Sequence, residues 1–194
     1  MKPAKPINKS LVFAILWLIL SGCGSTPSPK FYLLEPSASA APAAASDKQA
    51  LIVLAPVRIP HYLDRAQIVT ASGDNGYQLS ELNRWAEGLD HNITRVLQQD
   101  LSQLLPANVV SAAPADSTPL KLAVTIQEFH VNAQGQASLK AQWQLSRGNQ
   151  IVSVQQQSYL EASSTSDYQH MVAALNACLR RLTGDVAKSV QEAM

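Results

Sequence analysis

The sequence predicts an α+β domain, a mixed or antiparallel sheet with two amphipathic helices packed on one face. Three patterns point there. Between Leu120 and Leu160, two apolar-alternating stretches, Leu120 to Val131 and Ala137 to Leu145, and a third strand from Ile151 to Leu160 follow one another closely in sequence, as in an antiparallel meander. Two other stretches, one from about Ala86 to Leu105 and one after Asp167, repeat their apolar residues at three and four, as one face of a helix does. The chain ahead of the first helix is rich in strand signals.

The chain opens on Lys2, Lys5 and Lys9 with no acidic residue, followed by an apolar run from Leu11 to Leu20. That run is well short of the roughly 20 residues a spanning helix needs, so it reads as the core of a secretory signal. Leu20-Ser21-Gly22-Cys23 resembles the bacterial lipobox, in which a diacylglycerol joins the cysteine thiol and a peptidase cuts before it. An ordinary secretory signal with an incidental cysteine, or a short uncleaved anchor, is the alternative. On the lipobox reading, 1–22 is a removed signal peptide, 23–30 a tether and 31–194 a single domain with a low-complexity loop at 36–50. Two acyl chains already hold a protein stably on a bilayer. Gly24 follows the cysteine; by resemblance to enterobacterial sorting, the lack of aspartate there implies the outer membrane, facing the periplasm.

Losing the leader removes three of the 15 basic residues against 14 acidic ones, so the mature chain is slightly acidic, with no basic cluster for nucleic acid. With Cys23 acylated, Cys178 is the one free thiol, and no internal disulfide can form.

Lys30-Phe31-Tyr32-Leu33-Leu34-Glu35 reads as one short strand, and Pro36 to Ala50, full of Ser, Ala and Pro, as a loop. Leu51 to Val57 has the pattern of a strand buried on both faces. Gln67 to Ala71 and Tyr77 to Glu81 flank Ser-Gly-Asp-Asn-Gly, a hairpin signal. The first helix shows Leu89, Ile93, Val96, Leu97, Leu101 and Leu104 on one face and ends at Pro106. A short apolar patch, Val109-Val110, precedes the meander, where Arg147-Gly148-Asn149 turns its second strand into its third. Ser166-Asp167 can cap a last helix whose apolar face is Met171, Leu175, Cys178, Leu182, Val186 and Val190. On that stripe Cys178 is a small buried hydrophobe, and Arg180 and Arg181 lie on the solvated side.

Catalytic signals are few. His61, His91, His130 and His170 lie far apart, with no zinc-like spacing, so no metal and no cofactor is expected. Gly73 to Gly76 lacks the spacing and lysine of a phosphate loop, and Asn92-Ile93-Thr94 matches a glycosylation acceptor on a predicted helix, by chance. No Gly-x-Ser-x-Gly occurs. The chain reads as a non-enzyme. The unusual stretches are Arg58 to Arg65 and Leu82 to Leu89, each with an aromatic beside arginine and carboxylate. They nominate Tyr62, Asp64, Arg65, Arg84, Trp85 and Glu87 as an interface or a structural corner. For Trp85, core packing at the helix start, with Arg84 and Glu87 in a local ion pair, competes with an interface role.

"FYLL" shortly after the cysteine, "IPHYLDRAQIVT", "NRWAEGL" running into "ITRVLQQDLSQLLP", and the closing "DYQHMVAALNACLRRL" together resemble the PqiC (YmbA) family of ABC-transport auxiliary lipoproteins, over essentially the whole mature chain. One departure is Gly88, where relatives often carry proline. The resemblance implies an outer-membrane lipoprotein that docks the periplasmic conduit of a Pqi-type system for lipids or hydrophobic molecules and supports envelope integrity. Its implied partners are a periplasm-spanning MCE-domain (PqiB-like) protein and an inner-membrane PqiA-like protein. A homo-oligomer fits beside a tubular partner. The alternative is a periplasmic carrier lipoprotein that itself holds a lipid between helices and sheet. No catalytic residue transfers from the family; Cys23, as lipidation site, does.

Overall fold

The computed structural model describes residues 27–37, 50–73 and 75–194. The signal peptide, Cys23, the first part of the tether and most of the low-complexity loop lie outside the described residues.

The sheet is built around one long strand, β6 (Leu120–Val131). On one side it begins the antiparallel meander β6, β7 (Gln136–Arg147), β8 (Gln150–Ala162). On its other side β6 is shared. Its Leu120 end pairs in parallel with β2 (Ala50–Leu54), which pairs in parallel with β5 (Ala107–Val110). Its Val131 end touches β3 (Gln67–Ala71), which forms a hairpin with β4 (Tyr77–Trp85), and β4 takes β1 (Lys30–Tyr32) as a parallel edge. Arg58 bridges the gap between the two groups: its N–H donates to Val124 O (3.1 Å) and its carbonyl accepts from Ile126 N (2.8 Å). Two helices, α1 (Leu89–Leu104) and α2 (Tyr168–Ala193), complete the α+β fold that the sequence predicts.

One face of the sheet is covered. In β6, Leu120, Leu122, Val124 and Ile126 are buried in strict alternation. The register then shifts between Ile126 and Glu128, and the inward set becomes Phe129 and Val131. An extra residue of this kind exchanges the faces of everything after it, which sends His130 to the opposite side from Phe129. Facing this row, α2 buries Met171, Leu175, Cys178, Leu182, Val186 and Val190, the stripe read from spacing, and packs on β6, β7, β8 and α1. Burial among apolar atoms pushes the Cys178 thiol up to about 11, so it is no ready nucleophile. Asp167 caps α2 through Gln169 N (2.9 Å) and His170 N (3.3 Å), and the His170 ring at 2.8 Å helps hold its carboxyl below the usual range.

Several boundaries differ from expectation. The first strand stops at Tyr32, because Leu34 gives its backbone groups to a helix side chain rather than a neighbouring strand. β2 is buried on one face only, at Ile52 and Leu54, with Leu51 and Val53 partly open. Val109-Val110 belongs to a true strand, β5, whose support comes from β2 far away in sequence. Ala86 to Gly88 lie outside α1, and Gly88 is its N-cap (φ −53°), so the departure from proline falls one residue before the first turn. The far end behaves as expected: Leu105 is extended, the conformation that a following proline imposes. Gly148, at φ 58°, sits first in a two-residue turn between Arg147 and Gln150.

Candidate functional site

The chain that follows β1 is gripped by side chains of both helices. Asn92 is fully buried and accepts from Leu34 N (2.7 Å) while donating to Leu34 O (3.2 Å). Arg95 also donates to Leu34 O (3.3 Å), and Glu87 steadies it through Oε1 at 3.1 and 3.2 Å. From α2, Asn176 donates to Glu35 O (3.0 Å), and Asp100 of α1 accepts from Ser37 N (2.8 Å). Segment 34–37 therefore lies along the two helices as a strap, with backbone bonds replaced by side chains. Leu34 closes it from within, at 0% exposure.

Of the polar residues in this clamp, only Glu87 belongs to the motifs the sequence singled out. Asn92 looked like a chance glycosylation match, and Arg95, Asp100 and Asn176 carried no signal by themselves. A sequence clue existed in hindsight: Asn92 and Asp100 sit next to apolar-stripe residues Ile93 and Leu101, where a solvated polar face would not place them. Replacing Asn92 with alanine leaves Leu34 N–H buried without a partner, and the expected loss is about 2 kcal/mol in a urea melt; an unchanged midpoint would refute the clamp.

Asp100 has a second oxygen, Oδ2, that is buried with no partner, and burial raises its carboxyl above the ordinary value. A carboxyl raised in the folded state favours folding while protonated, and that advantage is lost as pH rises from the unfolded value through the folded one. Asp100→Asn keeps the acceptor for Ser37 and removes the charge. Its stability relative to wild type is expected to improve between pH 4 and pH 7, read from parallel thermal melts; a difference that stays flat would contradict an ionising buried Asp100.

Trp85 ends β4 in the core, 5% exposed, with its ring 6.3 Å from that of Phe129. The backbone N–H of Trp85 donates to Ala66 O (2.7 Å), and that of Ala86 donates to Tyr32 O (2.9 Å), so the corner fastens β1 to the hairpin. The Arg84–Glu87 pair is not formed. Arg84 donates to Glu81 O (3.1 Å) and lies 3.9 Å from the Glu81 carboxylate, whereas Glu87, in the bend beyond the strand, turns to Arg95 on α1.

The other motif forms a separate corner on the opposite side of the sheet from the helices. Tyr62 stacks on Tyr77 (4.8 Å between centroids), and both rings meet His130, with Tyr62 Oη 3.4 Å from Nδ1. Burial lowers the affinity of His130 for a proton and raises the Tyr62 hydroxyl well above its usual value. Asp64 and Arg65 are exposed at the tip of this turn. Arg180 and Arg181 are exposed, as expected, and from this solvated side Arg181 donates to Leu160 O (3.2 Å) and Glu161 (3.0 Å) and covers the Tyr159 ring.

Among the described residues no cluster of three His, Cys, Asp or Glu side chains could hold a metal ion, and no helix is long and apolar enough to cross a membrane.

The model of the ABC-type transport auxiliary lipoprotein component family matches residues 32–187. The chain is 29% identical over 183 residues to the intermembrane transport lipoprotein PqiC of Escherichia coli (strain K12), covering 93% of this chain and 96% of that one. The PqiC of Shigella flexneri matches equally. A crystal structure of an uncharacterized protein shares the fold at a TM-score of 0.73 and 23% identity, covering 84% of this chain and 99% of that one. One from Xanthomonas campestris does so at 0.66 and 16%, covering 81% and 92%. With a family match that takes in the corner at Trp85, the strap and both helices, the chain belongs to the ABC-type transport auxiliary lipoprotein component family, as its PqiC-like motifs imply.

Proposed function

We propose that this lipoprotein is the outer-membrane component of a Pqi-type intermembrane transport system, docking the far end of an MCE-domain conduit at the membrane. The observation that carries the reading is the strap: the segment leading from Cys23 is clamped between two helices, so force on the lipid anchor passes straight into the rigid core. A docking module needs that stiffness; a carrier lipoprotein needs instead a cavity for its lipid. The seam between helices and sheet, where a carrier would keep its lipid, is filled by Val96, Leu97, Leu101, Leu175, Leu179 and Leu182, each buried. This packing favours docking over the carrier alternative. The name of the PqiC relatives, intermembrane transport lipoprotein, agrees with such a role. A non-enzymatic role agrees with the family and relatives, which are named for transport.

The test is association of the full lipoprotein, extracted in mild detergent, with an MCE-domain partner and an inner-membrane PqiA-like protein. Co-purification and specific crosslinks are expected. Absence of both with folded components would sink the proposal, and a stoichiometric co-purifying lipid in native mass spectrometry would restore the carrier reading.

A further inference from the structure

Beside the first described residues the domain exposes an apolar patch. Phe31 is 61% exposed, Leu33 39% and Leu82 37%. They share one side of the sheet: Phe31 pairs with Arg84 in the parallel β1–β4 register, and Leu82 lies two residues before Arg84. The neighbouring pair Lys30–Asn83 faces the other way, as the bond from Tyr32 Oη to Asn83 Oδ1 (2.9 Å) requires. Pro27 and Ser28 border the same open hollow as Phe31 and Leu82.

We propose that this patch is the face by which the domain seats on a phospholipid bilayer, Phe31, Leu33 and Leu82 entering the boundary between headgroups and acyl chains. The proposal rests on lipidation at Cys23. Three residues separate that cysteine from Pro27, four links with a reach of about 14 Å at full extension, so the acylated end and the patch meet the same membrane. The composition fits such a surface: one aromatic and two leucines beside Arg84, whose long stem lets its charge stay at headgroup level. Glu81 stands beside Arg84 at 3.9 Å and Asp167 borders the hollow, so the region has little net charge. Apolar insertion, rather than attraction to anionic lipid, therefore dominates, and binding of this face depends little on salt.

The chain's own cysteines make the test clean. Cys23 is consumed by acylation and Cys178 is buried, so a cysteine introduced at Phe31 is the single reactive thiol. The full lipoprotein carrying Phe31→Cys is labelled with an environment-sensitive fluorophore and reconstituted into vesicles of phosphatidylethanolamine and phosphatidylglycerol. Gln156→Cys, exposed on β8 at the other edge of the sheet, serves as the comparison. Expected is a blue shift at position 31, with loss of emission when the acyl chains carry bromine, and water-like emission at position 156. Protein that floats with the vesicles while position 31 emits as in water overturns the patch and leaves the anchor standing. Protein that does not float overturns the anchor and the patch together. A blue shift that needs added MCE-domain protein assigns the patch to a protein partner instead.

Discussion

Replacing Trp85 with alanine is expected to lower the free energy of unfolding by about 3–5 kcal/mol, the range for truncating a buried aromatic. The residue is 5% exposed and lies against Phe129 from the central strand. Its position also joins three elements: β4 ends there, β1 pairs alongside through Tyr32, and the chain bends into α1 two residues on. A cavity at that point withdraws packing from each of them, and single domains have only about 5–15 kcal/mol to lose. Trp85→Phe keeps most of the ring and should recover more than half of the loss. The measurement is a denaturant titration with coincident fluorescence and circular dichroism. An alanine variant with an unchanged midpoint but weakened partner binding would restore the interface role that the sequence left open for this residue.

Cys23→Ala is expected to abolish acylation and displace the protein from the outer membrane, an all-or-none effect on location. On the proposed lipobox reading the thiol is the nucleophile that takes the diacylglycerol, and no other group in Leu20-Ser21-Gly22-Cys23 would replace it. Binding of even a single acyl chain is marginal, whereas two or more hold, so losing the site removes the anchor altogether. Fractionation and mass spectrometry of the N-terminal peptide provide the readout. Mature protein still bound at the outer membrane would refute the lipobox reading. The domain itself should keep its fold, since the described strap is held by Asn92, Asp100 and Asn176 without help from the lipid.

What could be read from sequence followed local periodicity. β6 matches its alternating segment residue for residue, and α2 buries the six positions that spacing named, because both elements present their pattern within a few turns of chain. Elements defined by distant partners were less visible. β5 is four residues whose sheet neighbour among the described residues is β2, and the short Val109-Val110 patch is too brief to mark a strand by itself. The same holds for the site. Trp85 and Glu87 stood out by composition, but the residues that grip the strap lie on two helices, 58 to 141 positions from the backbone they hold. Pairing by composition alone also misled: Arg84 and Glu87 are three apart in sequence, yet they fall on a strand and a bend that point them apart.

The divided edge of β6 carries a consequence for how the protein is made. The meander and α2 lie in the C-terminal part of the chain and the β3–β4 hairpin is local, while β1, β2 and β5 join through parallel pairings that no hairpin can nucleate. Contacts between distant segments form late, since loop closure must precede them. A secreted chain emerges N-terminus first, so the half that must wait arrives before the half that supplies its template. The strands nearest the N-terminus, β1 and β2, thus depend on partners synthesised after them, and their pairing waits for later parts of the chain.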